Sequence, residues 1–119
     1  MKVIISSTGK DLESDIDVRF GRCRYFLIVD TKTNKFKAIE NTAQAQAGGA
    51  GITAAQIVAN ENPDAIISAN LGPRSFQVFQ QLNIKIYQAE GKIKKAIKDL
   101  KQGKLKEITN ATGPQHQGL

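Results

Sequence analysis

At 119 residues, 40% of them hydrophobic and 24% charged, the chain suits one globular domain with one core and is too apolar to be disordered. No apolar run approaches the roughly 18 residues of a membrane span. The N-terminal MKVIISSTGKD lacks the apolar stretch and cleavage site of a signal peptide, and the single cysteine, Cys23, excludes an internal disulfide. A cytoplasmic protein is expected, and the formal net charge of +6 directs attention to anionic partners.

The first element in chain order is Lys2 to Ser6, a β-branched run that reads as a buried strand. Asp11 to Arg19 is polar and irregular. A second strand is expected at Tyr25 to Asp30 and a third at Phe36 to Glu40, joined by a turn centred on Asn34 into an antiparallel hairpin. The small, polar segment Asn41 to Ala47 then leads through Gly48, Gly49 and Gly51 to a helix over Ile52 to Asn60. Its buried stripe would be Ile52, Ala55, Val58 and Ala59.

Pro63 ends that helix, and Ala65 to Ala69 forms a fourth strand. Gly72 and Pro73 open a helix with a stripe of Phe76, Phe79 and Leu82, closed by Asn83 in a left-handed conformation. Ile84 to Tyr87 is the fifth strand. A last helix, Gly91 to Gln102, buries Ile93, Ala96, Ile97 and Leu100 and is capped by Gly103. The order β-β-β-α-β-α-β-α predicts a mixed sheet with helices on both faces, parallel where helices connect the strands. Residues 1–109 read as one α/β domain and 110–119 as a mobile tail.

Three loops carry chemical potential. In Arg19-Phe20-Gly21-Arg22-Cys23-Arg24, three arginines surround one thiol. Positive neighbours favour the thiolate, a soft metal ligand, although cysteine also serves as plain core filler. The glycines Gly48, Gly49 and Gly51 before a helix let backbone N–H groups approach an anion. A polar stretch separates them from their strand, which argues against a dinucleotide fingerprint, and no GK[ST] follows. Asn70-Leu71-Gly72-Pro73-Arg74-Ser75 lies at the carboxyl end of a parallel strand, where open α/β sheets hold ligands, and Arg74 is placed to clamp an anion.

Catalytic arrangements are missing. The one histidine, His116, lies in the expected tail, too few donors exist for a closed zinc site, and the first strand carries no acidic residue for two-metal chemistry. The chain is expected not to be an enzyme, and in particular not a nuclease. Seven lysines between Lys92 and Lys106 are opposed only by Asp99. That run reads as a solvated helix face, and without tryptophan or a stacking motif, nucleic acid is a minority reading.

Asp17 with Phe20-Gly21-Arg22, then Tyr25 to Asp30, the glycine-rich stretch, Asp64 to Ile67, Leu71 to Arg74 and Asn83 to Tyr87 occur in an order that resembles the dinitrogenase iron–molybdenum cofactor biosynthesis family. The resemblance runs from Met1 to about Leu105. Where many members place a histidine before the glycine-rich loop, this chain has Ala45-Gln46-Ala47-Gly48.

The resemblance implies a ribonuclease-H-like three-layer fold with a five-stranded mixed sheet flanked by helices. It also implies binding or carriage of an iron–sulfur or iron–molybdenum cofactor precursor, with metallocluster assembly proteins as partners. The expected binding set is Arg19, Arg22, Cys23, Arg24, Gly48, Gly49, Gly51, Gly72 and Arg74, with Cys23 as the metal ligand. A metal-free anion-binding or adaptor protein is the alternative, and a weak RNA binder using the last helix is a third.

Overall fold

A computed structural model describes residues 1–110. The strands are β1 Lys2–Ser7, β2 Tyr25–Asp30, β3 Phe36–Glu40, β4 Ala65–Ser68, β5 Lys85–Gln88 and β6 Lys106–Glu107. The helices are α1 Ala50–Ala59, α2 Pro73–Gln81 and α3 Ile93–Lys101. One mixed sheet runs in the order β3-β2-β1-β4-β5-β6. β2 is antiparallel to both β1 and β3, whereas β4 is parallel to β1 and β5.

Alternation along the strands divides the core in two. Ile4, Phe26, Ile28, Ile66 and Ile86 face α1 and α2, where they meet Ala54, Ala55, Val58 and Phe79. Val3, Ile5, Leu27, Val29, Ala65 and Ile67 face the opposite side and pack with Ile93, Ala96 and Ile97 of α3. Because the central strands are apolar on both faces, they read as continuous β-branched runs. The α/β class and the three-layer arrangement therefore agree with expectation.

The turn residues also behave as their chemistry predicts. Asn34 (φ 60°), Asn83 (φ 57°) and Gly103 (φ 69°) take the left-handed conformation that turns the hairpin and closes α2 and α3.

Several expectations need correction. The sheet has six strands, because the short, exposed β6 returns antiparallel to β5 and is fixed by Ile108 N–H donating to the Ile86 carbonyl at 2.7 Å. A two-residue strand has no periodicity to read. Helix α1 begins at Ala50 rather than Ile52, and its buried residues are Ala50, Ala54, Ala55 and Val58, with Ile52 and Ala59 only partly buried. Leu82 is 54% exposed, because α2 ends at Gln81 and the chain turns away through Asn83. The expected mobile tail, apart from Asn110, and His116 lie outside the described residues.

Candidate functional site

β1 and β4 run parallel and end together, and the chain leaves β4 directly into α2. A crevice is expected beyond the carboxyl ends of such strands. A groove of about 300 Å³ lies there, lined by Val18 to Arg22, by Gly49, Gly51 and Ile52, and by Asn70 with Gly72 to Ser75. It falls at the small end of ordinary ligand sites, roughly 300–1,000 Å³.

The three segments interlock through their glycines. A Cβ on Gly21 would lie 2.9 Å from both Cα and N of Gly51, so only glycine lets the first loop rest on the first turn of α1. The Gly51 carbonyl in turn accepts a hydrogen bond from Ser75 Oγ at 2.9 Å, tying α1 to α2. Gly49, at φ 69°, turns the chain into α1. Beneath the groove, the Phe20 ring meets Phe26 at 5.2 Å and Phe79, edge-on, at 5.7 Å between centroids. The loop floor is thereby continuous with the core.

The electrostatics follow from what the helices lack. Neither α1 nor α2 has a side-chain cap or an acidic residue in its first turn. Their first-turn N–H groups have no intrahelical partner, and both positive dipole ends fall at the groove. Pro73 has no N–H to offer, so α2 presents those of Arg74 and Ser75. Among the described residues no aspartate or glutamate lines the groove, whereas Arg19, Arg22 and Arg74 do.

The three arginines are held differently. Buried Asp17 accepts the Arg19 backbone N–H at 2.9 Å and its Nε at 3.5 Å, leaving most of that side chain exposed. Arg22 Nη1 donates to the Gln44 and Gln46 carbonyls at 2.8 and 2.6 Å, strapping the segment before α1. Arg74 is exposed, with no ion pair among the described residues.

Of the nine expected binding residues, Arg19, Arg22, Gly49, Gly51, Gly72 and Arg74 come together in the groove, and Gly48, Cys23 and Arg24 do not line it. Arg24 instead lies over the Tyr25 ring at 5.4 Å. Cys23 corrects the expectation of a thiolate. Its side chain is fully buried in the core cluster with Phe20 and Phe26. Burial, with the nearby Asp17 charge adding to it, pushes the thiol up to about 12. It is therefore neutral at physiological pH.

Folded protein should alkylate at Cys23 no faster than the core opens, while denatured protein should react at once. The sign of the shift also has a consequence for stability. Above about pH 9 the unfolded chain loses the thiol proton and the native chain keeps it, so this contribution falls as pH rises toward 12. A Cys23→Ala variant should lose that part of the alkaline destabilisation in urea melts.

Seven residues that line the groove were not among the expected nine. Val18, Phe20, Gly21, Ile52, Asn70, Pro73 and Ser75 sit beside the chosen residues, and Ile52 was assigned to the core stripe. Asn41 was missed for another reason. It follows β3 in a polar stretch, yet is only 1% exposed and bonds the Gly21 and Cys23 carbonyls at 3.1 and 2.9 Å. The lysine-rich segment is a solvated face, with Lys92, Lys94 and Lys95 ion-paired to Asp15, Glu13 and Asp99.

Comparison with known proteins bears on this loop arrangement. The family model described as dinitrogenase iron-molybdenum cofactor matches residues 1–103. The chain belongs to this family. An uncharacterized protein of Methanocaldococcus jannaschii is 41% identical over 93 residues, 75% of this chain and 79% of that one. The apo form of the orange protein from Desulfovibrio gigas superposes with a TM-score of 0.89 at 27% identity, covering 94% of this chain and 96% of that one. A Thermotoga protein provisionally named NifB gives 0.80 at 34% identity, over 94% and 97% of the two chains. This family member has, among its described residues, no helix long and apolar enough to cross a membrane.

Proposed function

We propose that this protein is a cytoplasmic, non-catalytic carrier of an anionic iron–sulfur or iron–molybdenum cofactor precursor, exchanging that cargo with metallocluster assembly proteins. The observation that supports the reading best is the convergence of two uncapped helix N-termini with Arg19 and Arg74 on a groove that, among the described residues, no carboxylate lines. Family membership supports this class of cargo.

The donor set decides how such a cargo would be held. Among the described residues no three His, Cys, Asp or Glu side chains come together as a metal-binding group, and Cys23 is buried away from the groove. The residues present fit an anion that brings its own sulfide ligands. They do not fit a bare metal ion waiting for protein ligands, nor a cluster that needs four protein thiolates. Backbone N–H groups and guanidinium groups hold such an anion by charge and hydrogen bonds, while Val18, Ile52 and Pro73 cover its less polar faces. Binding of this kind is reversible and weakened by salt, as transfer to a partner requires.

The test is an anaerobic titration with tetrathiomolybdate, a simple anion of molybdenum and sulfide. Saturable binding is expected, weaker at high salt and unchanged in Cys23→Ala. Loss of binding in a folded Cys23→Ala variant would return the thiol to the site. Binding of phosphate or sulfate, but not of the thiometalate, would favour the metal-free anion-binding alternative.

A further inference from the structure

We propose that Asn41 is the positioning residue of the anion site, setting the shape of the Arg19–Arg24 loop from a place the ligand never touches. The inference rests on the groove being the binding site, as proposed above. Asn41 is almost fully buried and does not line the groove, yet its amide ties the Arg19–Arg24 loop to the segment that leads into α1. Nδ2 donates to the carbonyls of Gly21 at 3.1 Å and Cys23 at 2.9 Å. Oδ1 accepts the Ala43 N–H at 3.1 Å, which fixes the amide's orientation. The Asn41 backbone N–H donates to the Arg24 carbonyl at 3.0 Å.

These bonds have two effects on the groove. The carbonyl oxygens of Gly21 and Cys23 are the negative ends of peptide dipoles in the segment that carries Arg19 and Arg22. Engaged by a buried amide outside the groove, they are kept from opposing an anion. The Gly21 bond also holds that residue at the height where its Cα meets the first turn of α1, a fit with no room for a methyl group. Arg22, strapped to Gln44 and Gln46, completes the join from the exposed side.

No other side chain has this chemistry. Asparagine alone supplies two donors and one acceptor at this length. Aspartate keeps the bond from Ala43 but turns an unprotonated oxygen toward two carbonyl oxygens, and alanine leaves all three partners unpaired.

The experiment compares the affinity of intact protein for tetrathiomolybdate in wild type, Asn41→Asp, Asn41→Ala and Ile97→Ala. Ile97 is a buried residue of α3 on the opposite side of the sheet, so its truncation controls for lost stability alone. Urea melts set conditions in which every variant is folded. Both Asn41 variants should bind at least tenfold more weakly, Ile97→Ala within twofold of wild type, and the Gly51 amide resonance should shift in the Asn41 variants without ligand. If Asn41→Asp does not fold, Asn41→Ala decides. Affinity within twofold of wild type in a folded Asn41 variant, or an equal loss in Ile97→Ala, would overturn the assignment while leaving the groove as the site. Absence of binding in wild type would overturn both.

Discussion

Replacement of Phe79 by alanine is expected to cost the fold about 3–5 kcal/mol, the range for truncating a buried phenylalanine. The side chain is fully buried, faces the sheet from α2 and meets the Phe20 ring edge-on. Against a total stability of roughly 5–15 kcal/mol, that loss brings the chain close to unfolding. The effect should reach the groove as well. Phe20 lies in the loop between Arg19 and Arg22, and without Phe79 the aromatic support of that loop is reduced to Phe26. Urea denaturation should show the midpoint fall with little change in slope. Phe79→Leu, which keeps much of the volume, should recover most of the stability. A loss below about 1 kcal/mol in Phe79→Ala would mean that α2 packs less tightly than described.

The second large effect is expected from charge. Arg19→Glu combined with Arg74→Glu replaces two cations at the groove with two anions and leaves both helix N-termini in place. Binding of a thiometalate anion should weaken by a hundredfold or more, while the urea midpoint changes little, because both side chains are exposed. The single Arg19 variant carries a further consequence, since Asp17 loses a partner at 3.5 Å and acquires a like charge nearby. Arg74, without an ion pair among the described residues, is the cleaner probe. Glutamine at both positions should give an intermediate loss, because it removes the attraction without adding repulsion. Equal affinities in wild type and the doubly acidic variant would show that these arginines do not face the ligand.

The strands and turns of this fold were legible because local chemistry fixes them. Tyr25–Asp30 and Phe36–Glu40 form the expected hairpin, and asparagine and glycine take left-handed backbone where a helix or hairpin must turn. The two-sided apolar strands β1 and β4 announced a buried sheet with helices on both faces. β6 escaped because it is a tertiary event. Two exposed residues become a strand only because Ile108 anchors against Ile86.

The site divided along the same line. Glycines before helices and arginines at strand ends are local signals, and they led to six of the nine expected residues in the groove. The thiolate surroundings expected at Cys23 did not form because sequence neighbours are not spatial neighbours. The thiol is buried with Phe20 and Phe26, while Arg24 is exposed and Arg22 reaches to Gln44 and Gln46. Strand periodicity does not carry this information. Period two would place Cys23 with Leu27 and Val29, whereas it lies on the Phe26 and Ile28 side of the sheet. Asn41 left a weak trace. An asparagine directly after a strand often opens a turn through its own side chain, as it does here toward Ala43. Its reach to Gly21 and Cys23, about twenty residues earlier in the chain, exists only in the folded protein.

The central claim is that an anionic cluster sits between two helix N-termini without a protein thiolate. The most direct test is the anaerobic tetrathiomolybdate titration of wild-type protein followed by its backbone amide resonances. The expected shifts centre on Gly49 to Ile52, on Arg74 and Ser75, and on Arg19 to Arg22, with the lysine-rich face of α3 unmoved. Shifts concentrated on α3, or binding without any change at Gly51 and Ser75, would contradict the account.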